Sequence, residues 1–241
     1  MSRLSSPFTA VVTGASRGIG RRIARALARE GDVYLLLVAR SREGLVRTRS
    51  RCMEEGAPGA ELQCCDLTEP EQVQALEVPD TWPPVGLLVN NAGSYLLKDL
   101  QATTYEEYHR QIQSNLFSAV HATGRFLPGM KEQGQGLLVN ICSVGALQGL
   151  AESGAYASSK HALLGFTRSL REELKEEGIG VTAVNLGQTH SSSWKDSDRD
   201  PRELVDPEDV ARIVVALARL SGRSVVEELR VQPQGGQGPP L

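Results

Sequence analysis

Short runs of consecutive apolar residues alternate along this chain with longer stretches whose apolar positions recur every three or four residues. Phe8–Thr13, Val33–Ala39, Gly86–Asn90, Gly136–Ser143 and Val181–Leu186 are of the first kind, and Glu61–Cys65 and Val225–Val231 extend the series. An uninterrupted apolar run suits a parallel strand covered on both faces. The second kind begins with Arg17–Glu30, where Ile19, Ile23, Ala24, Ala26 and Leu27 form one helical stripe and Gly31 stops it. Arg42–Glu55 is a charged helix. Thr68-x-x-Glu71, with Pro70 inside it, has the form of a capping box. Thr104-x-x-Glu107 starts a helix that continues or re-forms through Asn115 to Met130. Gly154–Glu177 is a long helix, and Asp206-Pro207 opens the last, through Leu220. Seven strands alternating with six helical connections predict an α/β fold, one doubly wound domain whose seven-stranded parallel sheet is flanked by helices. Ligands of such sheets bind at the carboxyl ends of the strands, where the strand order reverses.

The pattern places residues 1–231 in a single Rossmann-type domain and leaves a tail, 232–241, rich in Gly and Pro. Gly187–Val205 also lacks a regular pattern and is expected to form a lid beside the crevice, the alternative being a solvated loop. A length of 241 residues fits one domain of this class. The formal net charge of −3 gives no electrostatic case for nucleic acid or an anionic membrane. No stretch has the ~20 apolar residues of a membrane span, and Met1–Pro7 is too short for the apolar core of a signal peptide. A cytoplasmic protein is expected. Cys52, Cys64, Cys65 and Cys142 form no C-x-x-C pair, and the histidines form no H-E-x-x-H, so reduced thiols and no metal site are expected.

Candidate chemistry begins at Thr13-Gly14-Ala15-Ser16-Arg17-Gly18-Ile19-Gly20, between the first strand and the first helix. Glycine there lets the backbone turn and approach a diphosphate, and the helix start directs unpaired N–H groups at the anion. No Lys-Ser/Thr follows, which argues against a nucleoside triphosphate loop. An acid at the end of strand two would bind the ribose hydroxyls of NAD. This chain has Ala39, Arg40 and Ser41, with Arg17 near, a set suited to the extra phosphate of NADP(H). Arg40 and Arg42 would also serve simply to solvate the next helix.

Tyr156 and Lys160 are four apart on a helix and share a face, and Ser143 ends the preceding strand. An ammonium beside the phenol, with a cationic nicotinamide ring near, is expected to favour phenolate. Tyr-x-x-x-Lys alone also arises by chance on helices.

Taken together, the glycine turn, Asn90-Asn91-Ala92-Gly93, Ser143 and Tyr156-x-x-x-Lys160 resemble the classical short-chain dehydrogenases/reductases, over roughly residues 8–231. The resemblance implies an NADP(H)-dependent oxidoreductase acting on a carbonyl or alcohol. Gly14, Ser16, Arg17, Gly18, Ile19 and Gly20 would cradle the cofactor, with Arg40 and Ser41 at its phosphate. It further implies that Asp66 and Leu67 contact adenine and that Asn91, Ala92 and Gly93 line the ribose. Asn115 would hold a water on Lys160, Ser143 would polarise the substrate oxygen, and Tyr156 would exchange its proton. Lys160 would also bind the nicotinamide ribose. Gly187 and Thr189 would face the carboxamide. Assembly as a homodimer or homotetramer through the two long central helices is a further implication. The family's Asn-Pro-Gly is here Asn185-Leu186-Gly187, and without proline's fixed φ the loop is expected to be less tightly set. A cofactor-binding regulatory protein without turnover and an epimerase or dehydratase on the same scaffold are the rival readings. The substrate pocket is expected near Tyr95–Leu97, Val144–Leu150 and Thr189–Arg202, which includes Ser191–Ser193 and Trp194.

Overall fold

In the computed structural model, which describes residues 3–191, 199–236 and 238, seven strands form one sheet in the order β3-β2-β1-β4-β5-β6-β7. They are β1 Phe8–Thr13, β2 Val33–Ala39, β3 Ala60–Cys64, β4 Val85–Asn90, β5 Gly136–Ser143, β6 Ile179–Leu186 and β7 Glu228–Val231. Every neighbouring pair is parallel. The helices are α1 Gly18–Ala28, α2 Arg42–Glu54, α3 Pro70–Gln74, α4 Tyr105–Ile112, α5 Ser118–Gln133, α6 Gly154–Leu174 and α7 Pro207–Arg219. The chain turns outward in both directions from the adjacent strands β1 and β4, so the strand order reverses there.

Strand alternation divides the core between the two faces. Ala10 and Val12 of β1 pack with Ile23 and Leu27 of α1 and Val210 and Val214 of α7. Val11, between them, points the other way, toward Phe126 and Met130 of α5 and Leu170 of α6. Burial on both faces explains the unbroken apolar runs. A buried polar rung crosses the second face. The Asn90 amide donates to Asn140 Oδ1 (2.9 Å) and Thr123 Oγ1 (3.1 Å), and Asn140 donates to Thr167 Oγ1 (2.8 Å). It ties α5 and α6 to β4 and β5 in one register, directly beneath the strand ends.

The capping box at Thr104 forms: Glu107 N donates to Thr104 Oγ1 and Thr104 N to Glu107 Oε2. The one expected at Thr68 does not. Both the backbone N–H and the hydroxyl of Thr68 donate to Asp66 Oδ1 (3.0 and 2.8 Å), and the five-residue α3 starts from Glu69 without a side-chain cap. An Asx turn has taken the threonine. β7 is shorter than the expected Val225–Val231, because the carbonyls of Val226 and Glu227 meet Thr182 Oγ1 and Ala183 N before the regular ladder starts. Between α4 and α5 the helix is continuous but carries a π-helical segment, Gln113–Phe117, with Asn115 buried at its centre. Such one-turn widenings favour functional sites. Leu186 belongs to β6, paired with Ser143 and Val231. Beyond it the loop is laced down by Gly187 N to Val231 O (2.7 Å) and a parallel bridge from Thr189 to Val205. Of the span expected to form a lid, residues 192–198, Ser192, Ser193 and Trp194 among them, lie outside the described residues. Among the described residues no helix is long and apolar enough to cross a membrane, and no cluster of His, Cys, Asp or Glu could hold a metal. Cys52, Cys64, Cys65 and Cys142 are free thiols.

Candidate active site

A cleft of about 510 Å³ opens at the carboxyl ends of the central strands. Ser143, Tyr156 and Lys160 line it together with Arg17 and Arg40. Each is held by its element. Ser143 ends β5, and its Oγ accepts from Gly145 N (3.0 Å), which bends the chain into a short 3-10 turn. A Cβ at Gly145 would press on Leu150 Cδ1 at 2.9 Å, while Ser143 Oγ and Tyr156 Cε1 would stand at ordinary contact distances of 3.4 and 3.5 Å. Tyr156 and Lys160 lie in the first two turns of α6. The Lys160 ammonium sits 6.0 Å from the Tyr156 ring centre and donates to Ile141 O (2.9 Å).

The electrostatics of the phenol run against the sequence expectation. Burial pushes Tyr156 up to about 12, although its hydrogen bond with Ser143 pulls the other way. Lys160 is itself lowered by burial. Desolvation penalises both charged forms, so among the protein's own groups Tyr156 is a protonated acid at neutral pH.

Asn115 is anchored by its own side chain. Its Oδ1 accepts from Ser94 N (3.0 Å), and its amide donates toward Ser94 O, Gln111 Oε1 and Ser159 Oγ at 3.0–3.1 Å. Its two amide hydrogens are shared among these three acceptors. Gly93 is confined by the same residue, because a Cβ there would strike Asn115 Oδ1 and reach within 3.8 Å of Lys160 Nζ.

The glycine turn is set by Asn91, whose amide donates to Thr13 O (2.9 Å) and Gly14 O (3.4 Å). Thr13 Oγ1 accepts from the N–H groups of Asn91 and Ala92, a pin between β1 and β4 that pattern alone did not single out. Gly14 and Gly18 have φ of 64° and 55°, and a Cβ on Gly20 would lie 2.5 Å from Gly14 O. Only glycine tolerates these positions. Three features fit a dinucleotide: the glycine cradle, an α1 start with neither a side-chain cap nor an acid in its first turn, and the exposed guanidiniums of Arg17 and Arg40. Ile19, Asn91, Gly93, Gly187 and Thr189 also face the cleft.

Other expected contacts have additional or different work. Ser41 Oγ accepts from Gly44 N and caps α2, and Ser41 does not line the cleft. Asp66 faces Arg40 Nη1 at 3.7 Å. The Leu67 side chain is buried in the core, and its carbonyl meets His121 Nδ1 (2.9 Å). Gln188, Ser153, Ser94 and Gly238 line the cleft without having been anticipated. The Gly238 N–H and C=O both pair with the Gln188 side-chain amide (3.0 Å each), so this part of the tail packs against the site. No spacing marks such a long-range contact.

The family model for short chain dehydrogenases matches residues 8–202. The chain belongs to that family. Curated relatives include an uncharacterized oxidoreductase of Staphylococcus saprophyticus, 30% identical over 93% of this chain and 96% of its own length. A putative ketoacyl reductase of Streptomyces coelicolor is 38% identical over 74% of this chain and 69% of its own. Among solved structures, the alcohol dehydrogenase of Thermococcus sibiricus, complexed with 5-hydroxy-NADP, superposes with a TM-score of 0.88 at 30% identity, covering 97% of this chain and 99% of that one. A variant of the actinorhodin polyketide ketoreductase, solved with NADPH, gives 0.85 at 31% identity over 93% and 95%. In this short-chain dehydrogenase, then, Arg17 and Ile19 of the glycine turn line one cleft with Ser143, Tyr156 and Lys160, while Gly14, Ser16, Gly18 and Gly20 do not line it.

Proposed function

We propose that this short-chain dehydrogenase is an NADP(H)-dependent oxidoreductase that transfers a hydride between nicotinamide and a carbonyl or secondary-alcohol substrate, with Tyr156 as acid/base. One observation carries the reading: Ser143, Tyr156 and Lys160 share a single cleft with Arg17 and Arg40. Relatives named as ketoacyl reductases and neighbours solved with NADP or NADPH support it.

Gly14, Ser16, Gly18, Ile19 and Gly20 would hold the diphosphate at the start of α1, with Arg17 and Arg40 at the adenosine phosphate. Asp66 and Leu67 would border the adenine, Asn91, Ala92 and Gly93 the ribose, and Gly187 and Thr189 the carboxamide. When bound, the nicotinamide supplies or takes the hydride. The protein's own residues handle the oxygen. Ser143 donates a hydrogen bond to the substrate carbonyl, and Tyr156, protonated at neutral pH, delivers the proton to it. Lys160 stabilises the resulting phenolate, and Asn115 fixes the Ser94 loop beside it. The walls, with Tyr95, Val144 and Leu150 beside Ser94 and Ser191, suit a modest, partly apolar carbonyl compound.

We also propose assembly into a homodimer or homotetramer through α5 and α6. Gly165 on α6 has open space around it and Phe117 is a large exposed apolar residue, which favours close helix contact there. Light scattering on the purified protein tests this; a monomer at micromolar concentration would contradict it.

The decisive variant is Tyr156→Phe. NADPH titration should match wild type while ketone reduction falls by about 10²–10⁴-fold. Undiminished turnover by this variant would overturn the assignment. Wild-type protein that binds NADPH yet oxidises none across a ketone and aldehyde panel would favour a regulatory or epimerase role.

A further inference from the structure

Tyr95 stands edge-on to Tyr156, with ring centres 4.8 Å apart and planes at 78°. Its hydroxyl shares a hydrogen bond with Ser153 Oγ at 3.0 Å. Ser153 is the N-cap residue of α6 and is 2% exposed, yet its side chain makes no capping bond. Serine at an N-cap ordinarily accepts from the N–H two or three residues on, here Ala155 or Tyr156. The hydroxyl suited to that task is instead turned to Tyr95.

The segment around Tyr95 is tied down on both sides. Asn115 clamps Ser94 through its N–H and its C=O (3.0 Å each). Lys98 N donates to Glu152 O (2.5 Å), and Glu152, next to Ser153, has a φ of 53°, unusual for a residue with a side chain. Residues 94–98 thus form a strut from the π-helical segment to the start of α6, with the Tyr95 ring against the reacting phenol.

We propose that Tyr95 is a positioning residue for the reaction. Anchored by Ser153, its ring fixes the direction in which the Tyr156 phenol meets Ser143 and the substrate oxygen. The helix gives up a cap for this. The inference rests on the function proposed above, and its test separates the two.

Tyr95→Phe keeps the ring and removes the anchor, while Ser153→Ala removes the other end of the same bond. Each should lower kcat for ketone reduction about tenfold, with KM for the ketone and Kd for NADPH within about twofold of wild type. The double variant should be no slower than either single one, since all three lose one bond. Stability should move the opposite way in Tyr95→Phe. Ser153, released, caps α6, so Tm should equal or exceed wild type and the Ala155 and Tyr156 amides should exchange more slowly. Ser153→Ala should show no such protection. The role is overturned by unchanged kcat in Tyr95→Phe, by losses confined to KM, by multiplicative losses in the double variant, or by a fall in Tm that parallels the fall in kcat. Wild-type protein that reduces no ketone overturns the functional reading instead, a result the variants cannot imitate.

Discussion

Replacing Arg40 should separate the two nicotinamide cofactors, by an amount that follows from its exposure. The Arg40 side chain is 80% exposed and meets Asp66 at 3.7 Å, so its interactions are those of a solvated charge. Two unit charges 4 Å apart in water attract by about 1 kcal/mol. A phosphate ester near neutral pH carries close to two charges, which gives about 2 kcal/mol for the contact with the adenosine phosphate. Arg40→Ala should therefore weaken NADPH about 30-fold. Arg40→Asp adds a repulsion of similar size and should weaken it about 10³-fold at low salt. NADH lacks that phosphate and should change less than about threefold. Thermal stability should hold within about 0.5 kcal/mol, because an exposed pair at this distance contributes little. Fluorescence titration with both cofactors at two salt concentrations measures all of this. Equal losses for NADPH and NADH would refute the phosphate assignment and leave Arg40 as a solvated helix-start residue.

Four further outcomes follow from the same geometry. Gly93→Ala should drive Asn115 from the Ser94 loop and lower kcat about tenfold or more while α/β circular dichroism is retained; normal kcat would show that Asn115 has no bearing on turnover. Thr104→Ala removes a complete capping box and should cost about 1 kcal/mol, a Tm fall of about 2–4 °C, with NADPH affinity unchanged. Because burial holds Tyr156 up to about 12, reduction should be flat between about pH 6 and 9, whereas alcohol oxidation, which needs the phenolate, should rise with pH; an oxidation rate that falls over that range would contradict the role. Burial also raises Cys52 to about 12 and Cys65 and Cys142 to about 11. The folded state then keeps protons that the unfolded chain releases, so stability is complete below about pH 8.5 and declines as pH climbs toward 11–12, at up to roughly 1.4 kcal/mol per pH unit per group. Chemical denaturation at pH 7, 9 and 10.5 would show it, and a flat profile would exclude it.

The alternation of elements was readable because the five inner strands are buried on both faces, so Val11 and its neighbours Ala10 and Val12 are all apolar for separate reasons. Residues whose partners lie close in sequence were readable too, as at Thr104 and Glu107. Thr68 misled because Asp66, two residues earlier, competes for the same hydroxyl. Ser41 and Ser153 show the converse difficulty. Both occupy N-cap positions, but one caps its helix and the other is drawn away by a tyrosine 58 residues distant. The Tyr156 and Lys160 pairing was visible in their spacing. The sign of the phenol's shift was not, since it depends on how much water the surrounding elements exclude. Gly238 against Gln188 and the Asn115 amide against Ser159 are long-range contacts without a local signature.

Deuterium transfer tests the central claim most directly. Wild-type enzyme, NADPH labelled at either face of C4 and a reducible ketone are incubated together, and the product alcohol is examined by mass spectrometry and NMR. One deuterium should appear on the carbinol carbon from one labelled face and none from the other, with transfer reduced at least 10²-fold in Tyr156→Phe. A product formed without label from either face, or with hydrogen drawn from solvent at that carbon, would contradict hydride transfer in this cleft.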